Sequence, residues 1–426
     1  MILKNIKTTT KPLIIANILG SSGEFLNIII CLLFSPKYQS MFTYQYRANF
    51  VLTALLTSIT IATSIRSYKY FSDQKKYQYT LELARHKKLC CYIAIISTGI
   101  MILLTWLYIL TANIQEMSIS VIWEYAILYI LAGIITCFSQ TAYLDLLARK
   151  KANTVKKISF HAFFINLFLS LLLSYYLGVI GIAIGFLISR FYSCVSLNKE
   201  KKVSLKNIKN IPNFISDKSY IHDSINTLST LIIGVVTTII IYIPISKDIV
   251  NAKIYGLTIA ISAAFNGIFL AIGTGISTNF YSLLKLNIQS RQVEKKQTDL
   301  WIMKFSILLA FTAFLLFLTA GIKNNIAPIN IILSIGILFF LTNIINNFST
   351  TQSKGYIRTS GHTLFNLKMS LIMSILRIII IIPAYIFLNG YIFLISFYTI
   401  SFIPSLIYFI NINKKTINIL NTNQVI

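Results

Sequence analysis

Twelve apolar stretches, separated by connectors of alternating charge, constrain this chain more than any other feature. They lie near 13–34, 47–68, 89–112, 121–146, 158–177, 178–198, 225–246, 254–284, 301–322, 328–353, 364–388 and 391–412. A bilayer core of about 30 Å takes about 20 apolar residues per helix. Inside lipid every backbone polar group needs an internal partner, so segments of this length are expected to be helical. The expected fold class is all-α integral membrane, with about twelve transmembrane helices. The fifth and sixth spans are divided only by the turn around Gly178 and Gly181.

The connectors set the orientation through the positive-inside rule. One set carries Lys4, Lys7 and Lys11; Arg66, Lys69, Lys75, Lys76, Arg85, Lys87 and Lys88; and Arg149, Lys150, Lys151, Lys156 and Lys157. It continues with Lys199, Lys201, Lys202, Lys206, Lys209 and Lys218, then Lys285, Arg291, Lys295, Lys296 and Lys304, then Lys354, Arg358, Lys368, Lys414 and Lys415. The alternate set holds only Lys37, Arg47, Lys247, Lys253 and Lys323, and two arginines, Arg190 and Arg377, fall inside spans. Thirty-one of 38 basic residues on one side make a multi-pass protein of the bacterial inner membrane with both termini cytoplasmic. The net charge of +26 is thereby a topology signal, and no nucleic-acid partner is expected. The short basic start, Met1 to Lys11, leads into an apolar stretch, Leu13 to Phe34, without a small-residue cleavage pattern, which is expected to be a retained first helix.

Enzymatic readings find little support. The sequence shows no phosphate-binding glycine loop, no His/Cys ligand cluster and no paired catalytic groups. Cys31, Cys90, Cys91, Cys137 and Cys194 sit in or beside apolar stretches without metal spacing, as small core residues do. No cofactor is expected beyond a coupling ion, H⁺ or Na⁺.

The longest inside loop divides the chain into an N-terminal six-helix bundle (1–198), a basic linker (199–220), a C-terminal six-helix bundle (221–412) and a tail (413–426). The halves echo each other. Phe138-Ser139-Gln140-Thr141 in span four matches Phe348-Ser349-Thr350-Thr351 in span ten, and a basic turn follows each, at Arg149 and at Arg358. Ile61-Ala62-Thr63 and Ile276-Ser277-Thr278 end spans two and eight. A duplicated bundle of this kind is expected to surround a central cavity opened alternately to either side.

Gly355-Tyr356-Ile357-Arg358-Thr359-Ser360-Gly361-His362-Thr363 resembles the G-x-x-R-x-x-G-x-T turn after span ten of multidrug and toxin extrusion (MATE) transporters. Pro12-Leu13-Ile14 opening span one, and Gly178-Val179-Ile180-Gly181-Ile182-Ala183 entering span six, are similar to that superfamily too. Polysaccharide flippases of the O-antigen type share the last feature. The resemblance implies two pseudo-symmetric bundles and transport of a substrate, with Gly355, Arg358, Gly361 and Arg149 as turn residues of the conformational machinery. It also implies an acidic coupling residue fifteen positions after the span-one proline. Asn27 stands there instead, and Glu24, one turn earlier on the same helix face, is placed to substitute.

A charge inside the membrane costs several kcal/mol, so each one invites a role. Glu24 is the candidate for ion coupling. Its alternative is a protonated, hydrogen-bonded carboxyl within the bundle. Arg377 and Arg190 are candidates for substrate contact, with Asn27 beside them, because a planar guanidinium suits phosphate or carboxylate. A backbone-carbonyl clamp is the structural alternative for Arg377. Asp145 is explained by pairing with Arg149 at i, i+4.

Two functions follow. The favoured one flips an undecaprenyl-pyrophosphate-linked oligosaccharide between leaflets, since the span arginines have few acidic partners. The other is MATE-type, proton- or sodium-coupled efflux of an organic compound or a secreted metabolite. In both the chain is a monomer among membrane lipids.

Overall fold

The computed structural model describes residues 2–35, 38–111, 118–201, 217–245, 249–323, 327–388 and 390–422. Among them lie twelve α helices and one π-helical turn, with no strand. The helices are α1 (Ile2–Phe34), α2 (Gln39–Ser72), α3 (Lys76–Thr111), α4 (Ile119–Ala148), α5 (Ala152–Leu177) and α6 (Val179–Glu200), then α7 (Lys218–Ile245), α8 (Ile249–Leu284), α9 (Ile288–Lys323), α10 (Ile329–Gln352), α11 (Thr363–Phe387) and α12 (Gly390–Thr422). Eight of them are long and apolar enough among the described residues to cross a membrane. The expected all-α membrane fold is the one observed.

Several helices are longer than the apolar stretches. At 1.5 Å per residue, the 36 residues of α3 or α9 reach about 54 Å, well past a bilayer core. Basic segments read as loops are helical because they bury a stripe of their own. Leu83 and Ala84 are buried in α3, beside His86. The supposed tail from 413 is likewise the end of α12, where Ile412, Thr416, Ile419 and Leu420 are buried and Arg291 Nη1 donates to the Leu420 carbonyl at 3.0 Å. Pro12, expected to open the first helix, lies inside α1.

The chain divides into two compact units: Lys11–Ser224, and Met1–Thr10 together with Ile225–Ile426. In the first, α2 packs on α3 and α4, α3 on α4, α4 on α5 and α6, and α5 on α6. In the second, α8 packs on α9 and α10, α9 on α10, α10 on α12, and α11 on α12. Five of these pairings recur six helices later, with α4 and α10 as hubs.

Many hydroxyl side chains inside the spans bond to their own helix. Thr105 donates to the Met101 carbonyl and Thr136 to Ala132, each at 2.8 Å, so they cost little in an apolar phase. The α5–α6 hairpin turns at Gly178, whose φ of +58° suits glycine. The two helices then close tightly, because a Cβ at Gly185 would sit 2.7 Å from the Ser170 nitrogen.

The first turn of α1 belongs to the second unit. Its free backbone N–H groups at Ile2 and Leu3 donate to the Glu294 carboxylate of α9 at 3.2 and 2.9 Å, a favourable position for a carboxylate at a helix N-terminus.

Candidate functional site

In the C-terminal unit the cations converge on the junction of α10 and α11. α10 ends at Gln352, and the backbone continues as a π-helical turn, Ser353–Arg358. Gly361, with a φ of +86°, lets the chain reverse, and the Gly361 and His362 N–H groups close on the Arg358 and Ile357 carbonyls at 3.1 Å. Gly355 is required by close approach, since a Cβ there would lie 2.7 Å from Ile276 of α8.

Lys354 reaches from this turn to donate its ammonium to the Leu270 carbonyl at 2.9 Å, and its own carbonyl accepts from Ser277 Oγ at 3.0 Å. Arg358 is held by Asn366. With its amide oxygen turned toward the guanidinium, Asn366 accepts from Nε at 3.3 Å and Nη2 at 3.2 Å, while its nitrogen donates to Ser353 Oγ. The Tyr408 hydroxyl lies 3.4 Å from the same amide.

Arg377 lies fourteen residues into α11 from Thr363, about 21 Å along the helix. It is half-buried, and its guanidinium is within electrostatic reach of the Tyr255 and Tyr408 hydroxyls. Among the described residues no hydrogen bond or ion pair engages it. Tyr408 is also within electrostatic reach of Arg358. The described carboxylates of this unit are occupied elsewhere. Glu294 holds the start of α1, and Asp299 pairs with Lys295 and accepts from Gln352 Nε2 at 2.8 Å. Lys354, Arg358 and Arg377 thus form a semi-buried cationic lane from the π-helical turn into α11.

The N-terminal unit is built differently. Asn27 is buried and exchanges hydrogen bonds with Asn166 of α5, Nδ2 to Oδ1 in both directions, at 3.4 and 3.2 Å. Ser170 Oγ adds a donor to Asn166 Oδ1 at 3.2 Å. Asn27 thereby ties α1 to α5. Glu24 lies on α1, and its side chain is outside the described residues. Arg190 is half-buried and stacks over the Phe186 ring, 4.7 Å from its centroid, a cation–π contact. Arg149 grips Asp145 through Nε at 3.0 Å and Nη2 at 2.6 Å, and Nη2 also donates to the Glu200 carbonyl at 2.8 Å. Asp145 is fully buried and takes a further bond from the Tyr79 hydroxyl at 2.7 Å. This pairing follows the i, i+4 spacing, and it ties α3, α4 and α6 together.

Three groups escaped the sequence reading. His86 is buried between Thr60 and Thr141 at 3.3 and 3.1 Å, hidden in the sequence by its basic neighbours. Lys354 and Asn366 complete the cationic lane, and the i, i+4 spacing of Lys354 and Arg358 beside an apolar run was the available signal. Outside the spans, Arg66 and Arg85 flank the Tyr220 ring at 5.0 and 5.6 Å, while Tyr220 OH lies 2.8 Å from Thr63 Oγ1. Partial burial favours protonation of Asp217, but the Tyr220 N–H and the charges of Arg66 and Arg85 outweigh it and lower its pKa.

No known protein-family model matches the sequence, and no curated protein does. The fold has close counterparts among solved structures. A MATE transporter in its bent conformation superposes at a TM-score of 0.79 over 100% of this chain and 97% of its own, with 13% identity. An outward-facing multidrug resistance MATE transporter of the MOP superfamily gives 0.80, with 13% identity over 98% of this chain and 96% of its own. A MOP superfamily transporter from Pyrococcus furiosus, for which reverse polarity of the binding pocket suggests a different function, gives 0.81, with 12% identity over the same shares. The chain has the MATE transporter fold from end to end.

Proposed function

We propose that this chain is a multi-pass exporter of the bacterial inner membrane, with both termini cytoplasmic, that expels an organic anion by alternating access. The full-length MATE fold supports export, and efflux in the MATE manner ranks ahead of oligosaccharide flipping because the solved structures it resembles include multidrug resistance transporters. The cargo's charge is carried by one observation: Arg377 stands without a hydrogen bond or ion pair among the described residues, in a unit whose described carboxylates are engaged elsewhere. A hydrophobic cation would gain nothing from that lane. Glu24 is the proposed coupling carboxyl, for H⁺ or Na⁺, and Asn27 supports the helix that carries it.

Flipping of a lipid-linked oligosaccharide is the second reading, because the planar fork of Arg377 also matches a pyrophosphate.

The test is export from proteoliposomes loaded with anionic, neutral or cationic dyes of similar size. The anionic dye is expected to leave fastest, and Arg377→Ala to slow it about tenfold or more, the loss of one charge-assisted contact. Preferential export of the cationic dye, or unchanged anion export in the variant, would overturn the assignment. Rescue of a flippase-deficient strain without dye export would favour the second reading.

A further inference from the structure

A cleft of about 410 Å³ opens between α9, α10 and α12, apart from the cationic lane. The lining is mostly apolar, and one wall carries its polar residues, Gln292, Lys295, Lys296, Asp299 and Asn421. Gln292 Nε2 donates to Asn421 Oδ1 at 3.2 Å and so joins α9 to α12 across the opening. Lys295 is buried, pairs with Asp299, and donates to Asn413 Oδ1 at 2.9 Å. An ammonium has three protons, so one stays available to a ligand. Lys296 is exposed at the rim and has no ion pair among the described residues. Against the one carboxylate, Asp299, the wall is net positive.

The other wall is apolar, formed by Leu300, Met303, Phe348, Ile417 and Leu420. Leu300 is 55% and Ile417 40% exposed, so the cleft reaches the surface of the unit. The change of wall falls where α9 leaves its charged first turns and enters its apolar span. Trp301 lies at that level, with Lys7 over its ring at 5.8 Å, as aromatic and basic side chains do at a membrane interface. A ligand that fits both walls has a compact anionic head at interface depth and a hydrocarbon tail lying against the span. A basic pocket between helices at this depth is the pattern that holds anionic lipid headgroups.

We propose that this cleft binds one anionic phospholipid, its phosphate on Lys296 and the free proton of Lys295 and its acyl chain along Leu300, Phe348 and Ile417. The assignment rests on the membrane fold and not on any reading of the cargo.

The experiment is thermal unfolding of the full-length protein in detergent, titrated with phosphatidylglycerol, phosphatidylcholine or glycerol phosphate. Phosphatidylglycerol is expected to raise the midpoint saturably, and the other two to leave it in place. Lys296→Glu, at an exposed position that unfolding does not threaten, should weaken the apparent affinity about tenfold or more by reversing one charge at the headgroup. Lys368→Glu, the same change at an exposed site on α11, should leave it intact. An equal shift with phosphatidylcholine would remove the anionic headgroup from the proposal, and an equal shift with glycerol phosphate would remove the lipid tail. Undiminished affinity in Lys296→Glu, or equal loss in Lys368→Glu, would remove the site itself.

Discussion

Asn27 of α1 and Asn166 of α5 hold each other amide to amide, at 3.2 and 3.4 Å, at the position where the MATE resemblance implies a carboxylate. Two neutral amides satisfy each other without a titrating proton, so this contact is insensitive to pH. Asn27→Ala would strand a buried amide and should destabilise the protein by about 1–3 kcal/mol. Chemical unfolding of the variant checks it. A double variant, Asn27→Ala with Asn166→Ala, should recover part of that loss, since neither amide is then left without its partner.

Breaking the Asp145–Arg149 pair should cost more. Arg149→Ala removes the ion-pair partner of a fully buried carboxylate, and removal of one member of a buried pair costs about 3–5 kcal/mol. Replacing both, as Asp145→Asn with Arg149→Gln, should be milder. A thermal melt of the two variants separates the outcomes, and equal losses would show that the arginine's bond to the Glu200 carbonyl dominates.

Arginine at 377 has chemistry that lysine shares only in part. Arg377→Lys keeps the charge and loses the fork, so anion export should fall between wild type and Arg377→Ala. Rates in the dye assay at several dye concentrations decide this. A lysine variant as inactive as the alanine one would assign the residue to two-pronged recognition, and one as active as wild type would assign it to charge alone.

Coupling is tested at Glu24. Glu24→Gln should flatten the pH dependence of export while leaving the protein folded, measured as initial rates across a pH series. An unchanged profile would return Glu24 to a structural role on α1.

The cluster around Asp217 makes a prediction about acid stability. Its pKa in the folded protein is lowered below the ordinary 3.8, because the Tyr220 N–H and two arginines outweigh partial burial. A depressed carboxylate contributes stability above its unfolded pKa and loses it as pH falls through the folded value. Asp217→Asn should therefore reduce stability near neutrality and narrow its difference from wild type below about pH 3.8. Melting temperatures of both proteins at pH 7 and pH 3 provide the check.

Much of the fold was legible because the bilayer imposes a one-dimensional rule. Apolar length sets the spans, and the repeated motifs of α4 and α10 mark the two hubs of the same pairing scheme. Helix ends were less legible. Charged residues mark where a helix leaves the lipid and not where it stops, so α3, α9 and α12 run on through segments that read as loops. The tie of the first turn of α1 to Glu294, nearly 300 residues away, has no local signature at all.

The site divides in the same way. Sequence alone determined which charges lie inside spans and that Arg377 has no carboxylate in its own half's spans, because a charge in an apolar run is visible as composition. Only tertiary structure decided what those residues touch. It gave Asn27 to Asn166, Arg190 to the Phe186 ring and Arg358 to Asn366. Hydrogen bonds and ring contacts depend on which helix faces pack together, and that is set by close approaches such as Gly185 on Ser170 and Gly355 on Ile276, not by any spacing along the chain.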